Sequence, residues 1–215
     1  MVTVCWSPKG GSGTTVVAAS LALVLAQREG GALLVDLAGD VPAALGMPEP
    51  SGQGAVDWLA APDAGAAALG RLIRAGTGGL DVIPAGGVDV AGWPPARGAA
   101  LVEALDALDR PVVVDAGLLR TEVHELVARA TTSLLVVRSC YLALRRAVAA
   151  PLRPSGVVLV REPGRSLGRA DVEDVLGVPV VACIEQSVDV ARAVDAGLLM
   201  ARLPSLLSRG LRAAA

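Results

Sequence analysis

A glycine-rich run directly follows the apolar opening of this chain, residues 2–6. The run reads Ser7-Pro8-Lys9-Gly10-Gly11-Ser12-Gly13-Thr14-Thr15. The opening is typical of a buried β-strand, and apolar side chains at three- and four-residue spacing after the run indicate a helix. Glycines between a strand and a helix allow backbone N–H groups to converge on an anion at the start of the helix. The sequence therefore predicts a phosphate-binding loop near its N-terminus.

Lys9 is the only lysine of the chain, and the other cationic side chains are all arginines. An arginine side chain ends in a broad planar fork, whereas the lysine ammonium is a compact charge on a flexible stem. Such a group can reach a terminal phosphate between glycines. We therefore interpret Lys9 as a residue with a chemical role.

Short β-branched and leucine-rich runs alternate with longer segments of helical periodicity along the chain. The strand-like runs are residues 2–6, 32–36, 80–83, 112–115, 134–137, 157–160 and 178–184. The helical segments are residues 15–27, 96–108, 121–129, 142–149, 169–176 and 188–196. This order predicts right-handed crossovers and a doubly wound, mostly parallel α/β sheet in one domain, residues 1–215. Residues 38–79 are rich in proline and glycine and contain only a weak helical piece near residues 56–61.

The composition limits the class of protein. Apolar residues make up 53% of the chain and aromatic residues 2%, so small branched side chains must fill the core. The net charge of −2 gives no general electrostatic reason to expect DNA binding. Cys5, Cys140 and Cys183 lack metal-binding spacing, which favours a reducing compartment. The longest apolar stretch, residues 16–26, is too short to span a bilayer, and no leader is evident, so we expect a cytoplasmic protein.

Acidic residues follow two of the predicted strands. Asp36 ends the second strand and Asp115 ends the fourth. In open α/β sheets the ligand lies beyond the carboxyl ends of the strands, where these acids and the loop would meet. A Thr15 hydroxyl and an Asp115 carboxylate are suitable ligands for Mg²⁺ that also binds nucleotide phosphates.

These motifs resemble the deviant Walker ATPases of the MinD/ParA superfamily, a P-loop NTPase fold, over nearly the whole chain. The resemblance lies in the glycine-rich loop and in the strand ends Leu34-Val35-Asp36 and Val113-Val114-Asp115. With Val175-Leu176-Gly177-Val178-Pro179 and Asp195-Ala196-Gly197, the chain looks most like the CpaE/TadZ-type branch, which is associated with polar localisation and assembly of Tad pili.

The resemblance implies ATP and Mg²⁺ as cofactors and a homodimer. The nucleotide would be bound by the loop, Lys9, Gly10, Gly11, Ser12, Gly13, Thr14 and Thr15, and Mg²⁺ by Thr15 and Asp115. In the family, the lysine at the position of Lys9 reaches the phosphate of the partner subunit, so Lys9 is a candidate catalytic residue together with Asp36 and Asp40.

The chain departs from the family pattern at three positions. Thr14 stands where the loop normally carries a second lysine. Ala38 stands where the second acid of an Asp-x-Asp pair orients the attacking water, although Asp40 follows two residues later. The asparagine that reads adenine after the sixth strand is not evident, since Val160-Arg161-Glu162 stands there. These departures predict that ATP hydrolysis is slow at best.

Two functions stay open at this stage. The first is a nucleotide-dependent dimerisation switch that positions or assembles a cellular machine, such as a Tad pilus or a division apparatus. The second is a scaffold that dimerises without nucleotide, with the loop glycines serving only a tight turn. The C-terminal segment 203–212 resembles the membrane-targeting helix of MinD, but Pro204 and Gly210 interrupt it, so a packed last turn is the simpler expectation and membrane contact the less favoured one. Partner proteins are expected, and DNA is not.

Overall fold

A central sheet with helices on both faces organises the protein, and the computed structural model describes residues 1–87 and 92–215. Within these residues the sheet has eight strands in the order β3-β4-β2-β5-β1-β6-β7-β8. All neighbouring strands are parallel except β3, which pairs antiparallel with β4 at the sheet edge. The strands are β1 Val2–Ser7, β2 Ala32–Asp36, β3 Arg74–Ala75, β4 Leu80–Ile83, β5 Val112–Leu118, β6 Thr132–Arg138, β7 Gly156–Arg161 and β8 Val180–Glu185.

The helices follow the predicted order, and all lie between strands along the chain except the last two, which follow β8. They are α1 Thr14–Glu29, α2 Val41–Leu45, α3 Ala55–Ala60, α4 Ala66–Gly70, α5 Pro95–Asp106, α6 His124–Arg129, α7 Tyr141–Val148, α8 Arg169–Leu176, α9 Val188–Asp195 and α10 Ser205–Gly210, with a 3-10 turn at Thr121–Val123. The predicted doubly wound, mostly parallel sheet is confirmed. The segment 38–79, which showed little periodicity, forms three short helices and the edge strand β3, because elements of two to six residues are too short to repeat a pattern.

Two apolar layers cover the two faces of the sheet. One layer packs α1, α2 and α10 on the sheet and includes the buried residues Leu21, Leu34 and Leu207. The other packs α5 and its neighbours and includes Trp6 and Leu101. Because both faces are covered, β1 and β2 are buried along their whole length, as the near-continuous apolar runs predict. Burial of Leu207 in α10 agrees with a packed last turn at the C-terminus.

The strand order brings β2, β5 and β1 together in the middle of the sheet. Asp36 of β2 lies in register with Asp115 of β5, which in turn lies beside Cys5 of β1. Residues in register on parallel strands point to the same face, so the two acids lie side by side on the face that α1 covers. The loop between β1 and α1 starts at this same edge.

Helices α2 and α9 meet over the start of α1 through two glycines. A Cβ atom at Gly46 would lie 1.9 Å from the carbonyl oxygen of Gly197, and both glycines have left-handed backbone angles, with φ of 72° and 62°. Only glycine permits both the backbone angle and this close approach. The contact holds the C-terminal end of α9 beside the glycine-rich loop.

Candidate functional site

The glycine-rich loop leaves its backbone amides free at the start of α1. Gly11 and Gly13 have φ of 75° and 84°, the left-handed conformation that turns the chain sharply between β1 and the helix. No side chain caps α1. Within the described part of the chain, the amides of Gly11, Gly13, Thr14 and Thr15 donate to no protein acceptor. A helix start with unsatisfied donors and no capping side chain is suited to an anion.

Two serines support the loop from below. The hydroxyls of Ser12 and Ser7 donate to the carbonyl oxygen of Lys9 at 2.7 and 3.0 Å. The Lys9 ammonium lies at the rim, where it donates to the neighbouring carbonyl oxygen of Gly10 at 3.2 Å. This bond is exposed and local, so the ammonium can turn towards an incoming anion.

A cavity of about 710 Å³ opens above the loop, at the carboxyl ends of β1, β2 and β5. It is lined by the loop itself, by residues after β2 and β5, and by the end of α9: residues 9–16, Leu37, Ala38, Asp40, Ala43, Ala44, Ala116, Gly117, Leu118, Arg120, Val194 and Asp195. A groove of similar volume, about 730 Å³, lies around Met1 and Arg110, at the opposite ends of the strands. The free amides of the loop face the first cavity and not this groove, so we assign the site to the first.

Asp115 lies beneath the cavity and is incompletely satisfied. Its side chain is fully buried, Oδ1 accepts from the Gly117 amide at 3.1 Å, and Oδ2 has no hydrogen-bond partner among the described residues. Burial raises the pKa of Asp115 to about 7, the charge of Asp36 adds to this rise, and the Thr15 hydroxyl and the Gly117 amide oppose it. An unpartnered carboxylate oxygen beside a threonine hydroxyl fits Mg²⁺, which takes few protein oxygens when phosphate supplies others. No cluster of three or more histidine, cysteine or acidic side chains suited to a metal occurs in residues 1–87 and 92–215.

Asp36 has a different environment from its neighbour in register. Its Oδ1 accepts from the amides of Ala38 and Gly39 at 2.8 and 2.7 Å, and its Oδ2 accepts from the Val41 amide at 3.2 Å. Burial raises the pKa of Asp36 above its usual value, and these amides oppose the rise. The carboxylate therefore holds the turn between β2 and α2 in shape.

That turn brings Asp40 to the rim of the cavity. Asp40 is exposed and makes no capping bond to α2, so its carboxylate is available to the cavity. Ala38 and Thr14, the positions where the chain departs from the family pattern, also line the cavity. The loop, Thr15 and Asp40 thus line one cavity, whereas neither Asp36 nor Asp115 is part of its lining. Asp115 is represented there by the two residues that follow it, Ala116 and Gly117.

A smaller cavity of about 210 Å³ lies on the other side of the loop, between α1, β7, β8 and α9. Val160, from the predicted base-reading position, is part of its lining. Glu162 forms ion pairs with Arg138 and with Arg165, the latter at 3.0 Å. Arg138 also donates to the Gly11 carbonyl oxygen at 3.3 Å and so ties the loop to β6.

Sequence reasoning missed Arg120 and the end of α9. Arg120 lines the main cavity five residues after Asp115, and Val194 and Asp195 reach it from α9. Arg120 could have been found by inspecting residues just beyond the strand end of β5. The motif Asp195-Ala196-Gly197 at the end of α9 is part of the family resemblance, but its position at the cavity depends on the contact between Gly46 and Gly197.

The chain matches a family model described as the CobQ/CobB/MinD/ParA nucleotide binding domain over residues 3–200. Solved structures with the same fold include a ParA family ATPase from Chlorobium tepidum TLS, with 22% identity and a TM-score of 0.79 over 98% of this chain and 95% of that one. The septum site-determining protein MinD from Pyrococcus horikoshii OT3, complexed with Mg-ADP, has 21% identity and a TM-score of 0.75 over 97% and 91%. The MinC:MinD cell division complex from Aquifex aeolicus has 19% identity and a TM-score of 0.71 over 91% and 86%. A comparison with curated protein sequences finds no match.

Among the described residues, none of the helices is both long enough and apolar enough to cross a bilayer.

Proposed function

The chain belongs to the CobQ/CobB/MinD/ParA nucleotide-binding domain family, and from this membership and the open loop we infer that it is an ATP-dependent dimerisation switch that positions or assembles a larger cellular structure. One observation carries this inference. The amides at the start of α1 are free, and beside them a buried carboxylate oxygen of Asp115 lacks a partner. A phosphate and a magnesium ion supply what these two groups lack.

In this proposal the loop residues bind the phosphates. The amides of Gly11, Gly13, Thr14 and Thr15 contact the phosphate oxygens, and the Lys9 ammonium adds a charge at the rim. Thr15 and Asp115 hold Mg²⁺, which neutralises phosphate charge when it is bound. The apolar cavity around Val160 takes the base.

The same geometry supports slow or absent hydrolysis. Thr14 offers a hydroxyl where a cation would contact the phosphates, and Ala38 offers no base to orient water. Asp40 is the carboxylate on the rim that can act in place of Ala38, since Asp36 is engaged by three backbone amides. We therefore propose that nucleotide binding, more than turnover, controls the protein.

Dimerisation across the mouth of the cavity is the proposed consequence of nucleotide binding. Leu118 lines the mouth and is 46% exposed, so a second copy placed there would cover an apolar side chain. Lys9 at the same rim would reach the phosphate bound by the partner. The switch would then act on protein partners. The likeness of several motifs to the CpaE/TadZ-type branch makes a Tad pilus our first candidate and a division apparatus the second.

A scaffold that dimerises without nucleotide is the second candidate function. Two replacements favour it: Thr14 stands in place of the second loop lysine, and Ala38 stands in place of the second acid. Each removes a group that contacts the nucleotide or orients the attacking water. In that case the glycines would be required only for the turn into α1.

Equilibrium binding of a fluorescent ATP analogue, with and without Mg²⁺, distinguishes the two. We expect saturable binding that is tighter with Mg²⁺, and an increase in mass by light scattering when nucleotide is added. Lys9→Ala should weaken nucleotide-induced dimerisation while leaving the melting temperature of the free protein within a few degrees of wild type. Arg71→Ala, which removes an exposed cation away from the cavity, is the control. Absence of saturable binding at millimolar nucleotide would leave the scaffold as the function.

A further inference from the structure

The pairing of β1 with β5 brings two cationic residues to the lining of one cavity. Ser7, the last residue of β1, lies beside Leu118, the last residue of β5. The Leu119 amide donates to the Ser7 carbonyl oxygen at 2.7 Å, which extends the pairing by one step. Lys9 and Arg120 are each two residues beyond this pair, and both line the cavity. Two cations that line one cavity favour an anionic ligand there.

Arg120 lines the cavity without an acidic partner, among the residues that the structure describes, to offset its charge. Its Nε atom is buried without a hydrogen-bond partner, and no aspartate or glutamate of residues 1–87 and 92–215 lies within ion-pair distance of it. By contrast, Arg138, which contacts the loop, pairs with Glu162. The Arg120 side chain as a whole is half-buried, but a guanidinium nitrogen buried without a partner is costly, and an anionic ligand in the cavity would offset the unpaired charge.

The charged residues in the lining of the cavity indicate where an anion would bind. This lining carries two cations, Lys9 and Arg120, and two carboxylates, Asp40 and Asp195. The carboxylates come from the start of α2 and the end of α9, whereas Lys9 belongs to the loop with the free amides and Arg120 follows β5. A phosphate chain that starts at the amides would therefore begin beside Lys9, in the cavity that Arg120 also lines.

We propose that Arg120 provides the second phosphate-binding cation, in place of the lysine that Thr14 has replaced. This assignment rests on the proposed nucleotide-binding function and deepens it. Thr14 lines the cavity from α1, and Arg120 lines the same cavity from the turn after β5. The long side chain of Arg120 can therefore contact a ligand that is bound near Thr14. The guanidinium fork can donate two hydrogen bonds to phosphate oxygens, which a threonine hydroxyl cannot. The ligand class that this favours is a nucleoside triphosphate over a monophosphate.

The test compares ATP and AMP binding to the full chain by isothermal titration calorimetry in the presence of Mg²⁺. Arg120→Ala should weaken ATP binding about 10- to 100-fold, the range expected for a charge-assisted hydrogen bond, and should change AMP binding much less. Arg120→Lys should retain part of the ATP affinity, since it keeps the charge but not the fork. Adding Thr14→Lys to Arg120→Ala should restore ATP affinity, because either cation can then serve the phosphates.

The controls separate this inference from the function on which it rests. Arg71→Ala removes an exposed cation elsewhere and should leave ATP binding unchanged. If wild type binds ATP and Arg120→Ala binds it equally well, the role of Arg120 is refuted while the proposed function stands. If wild type does not bind ATP, both fail. Should Arg120→Ala unfold in a thermal melt, the comparison of Arg120→Lys with wild type still decides. If Arg120→Lys loses ATP affinity and AMP affinity equally, a contact between Arg120 and the phosphates that AMP lacks is contradicted.

Discussion

Replacing Asp115 with asparagine should stabilise the free protein and at the same time abolish its response to magnesium. The carboxyl group is fully buried, and one of its oxygens has no partner among the described residues. Burial raises its pKa from 3.8 to about 7. At 1.36 kcal/mol per pKa unit, keeping this group ionised in the folded protein costs about 4 kcal/mol at high pH.

The sign of the pH dependence follows from the raised pKa. The folded protein binds the Asp115 proton more tightly than the unfolded chain, so the free energy of unfolding falls as the pH rises from about 4 to about 7 and then levels off. Asparagine does not titrate, so the free energy of unfolding of the variant does not fall in this way as the pH rises. The stability gain of Asp115→Asn should therefore be about 2–3 kcal/mol larger at pH 8 than at pH 5.

Urea unfolding of the free protein at these two pH values measures the difference. Asp63→Asn, which changes an exposed carboxylate, is the matched control and should show no such gap. Addition of ATP with Mg²⁺ should stabilise wild type more than ATP alone, whereas for Asp115→Asn the two should be equal. A stability difference that is the same at pH 5 and pH 8 would refute the claim that the buried charge of Asp115 is only partly compensated.

Two further predictions concern the loop and the helix contact above it. Thr14→Lys should tighten ATP binding about 10- to 100-fold by adding a charge-assisted hydrogen bond, measured by calorimetry, and unchanged affinity would show that the loop does not hold phosphate at this position. Gly46→Ala should lower the free energy of unfolding by at least about 2 kcal/mol, since its Cβ would lie 1.9 Å from the Gly197 carbonyl oxygen and its φ of 72° is unfavourable for alanine. Gly70→Ala, where a Cβ meets nothing within 4 Å, is the control in urea unfolding, and equal loss in both variants would contradict the steric argument.

The elements of the fold were predictable because each carries its own periodic pattern. The glycine-rich loop, the strand that precedes it and α1 were all predicted within a residue or two, and Asp36 ends β2 as predicted. Asp115 lies inside β5, which continues to Leu118, so the prediction ended that strand three residues too early. The short elements α2, α4 and β3 were not, because none of them spans enough residues to repeat a pattern. The position of Arg120 was missed for a different reason. Its importance depends on the pairing of Ser7 with Leu118, two residues that are far apart in the chain.

The order of strands and helices and the presence of an anion-binding turn were thus determined by the sequence alone, because apolar spacing and glycine conformation act over a few neighbouring residues. Only the tertiary structure decided that Asp36 is satisfied by three amides while Asp115 is left one partner short. It also decided that Arg120 and Lys9 line the same cavity. Strand order and register arise from packing between distant segments, and no local pattern records which strand ends will be neighbours.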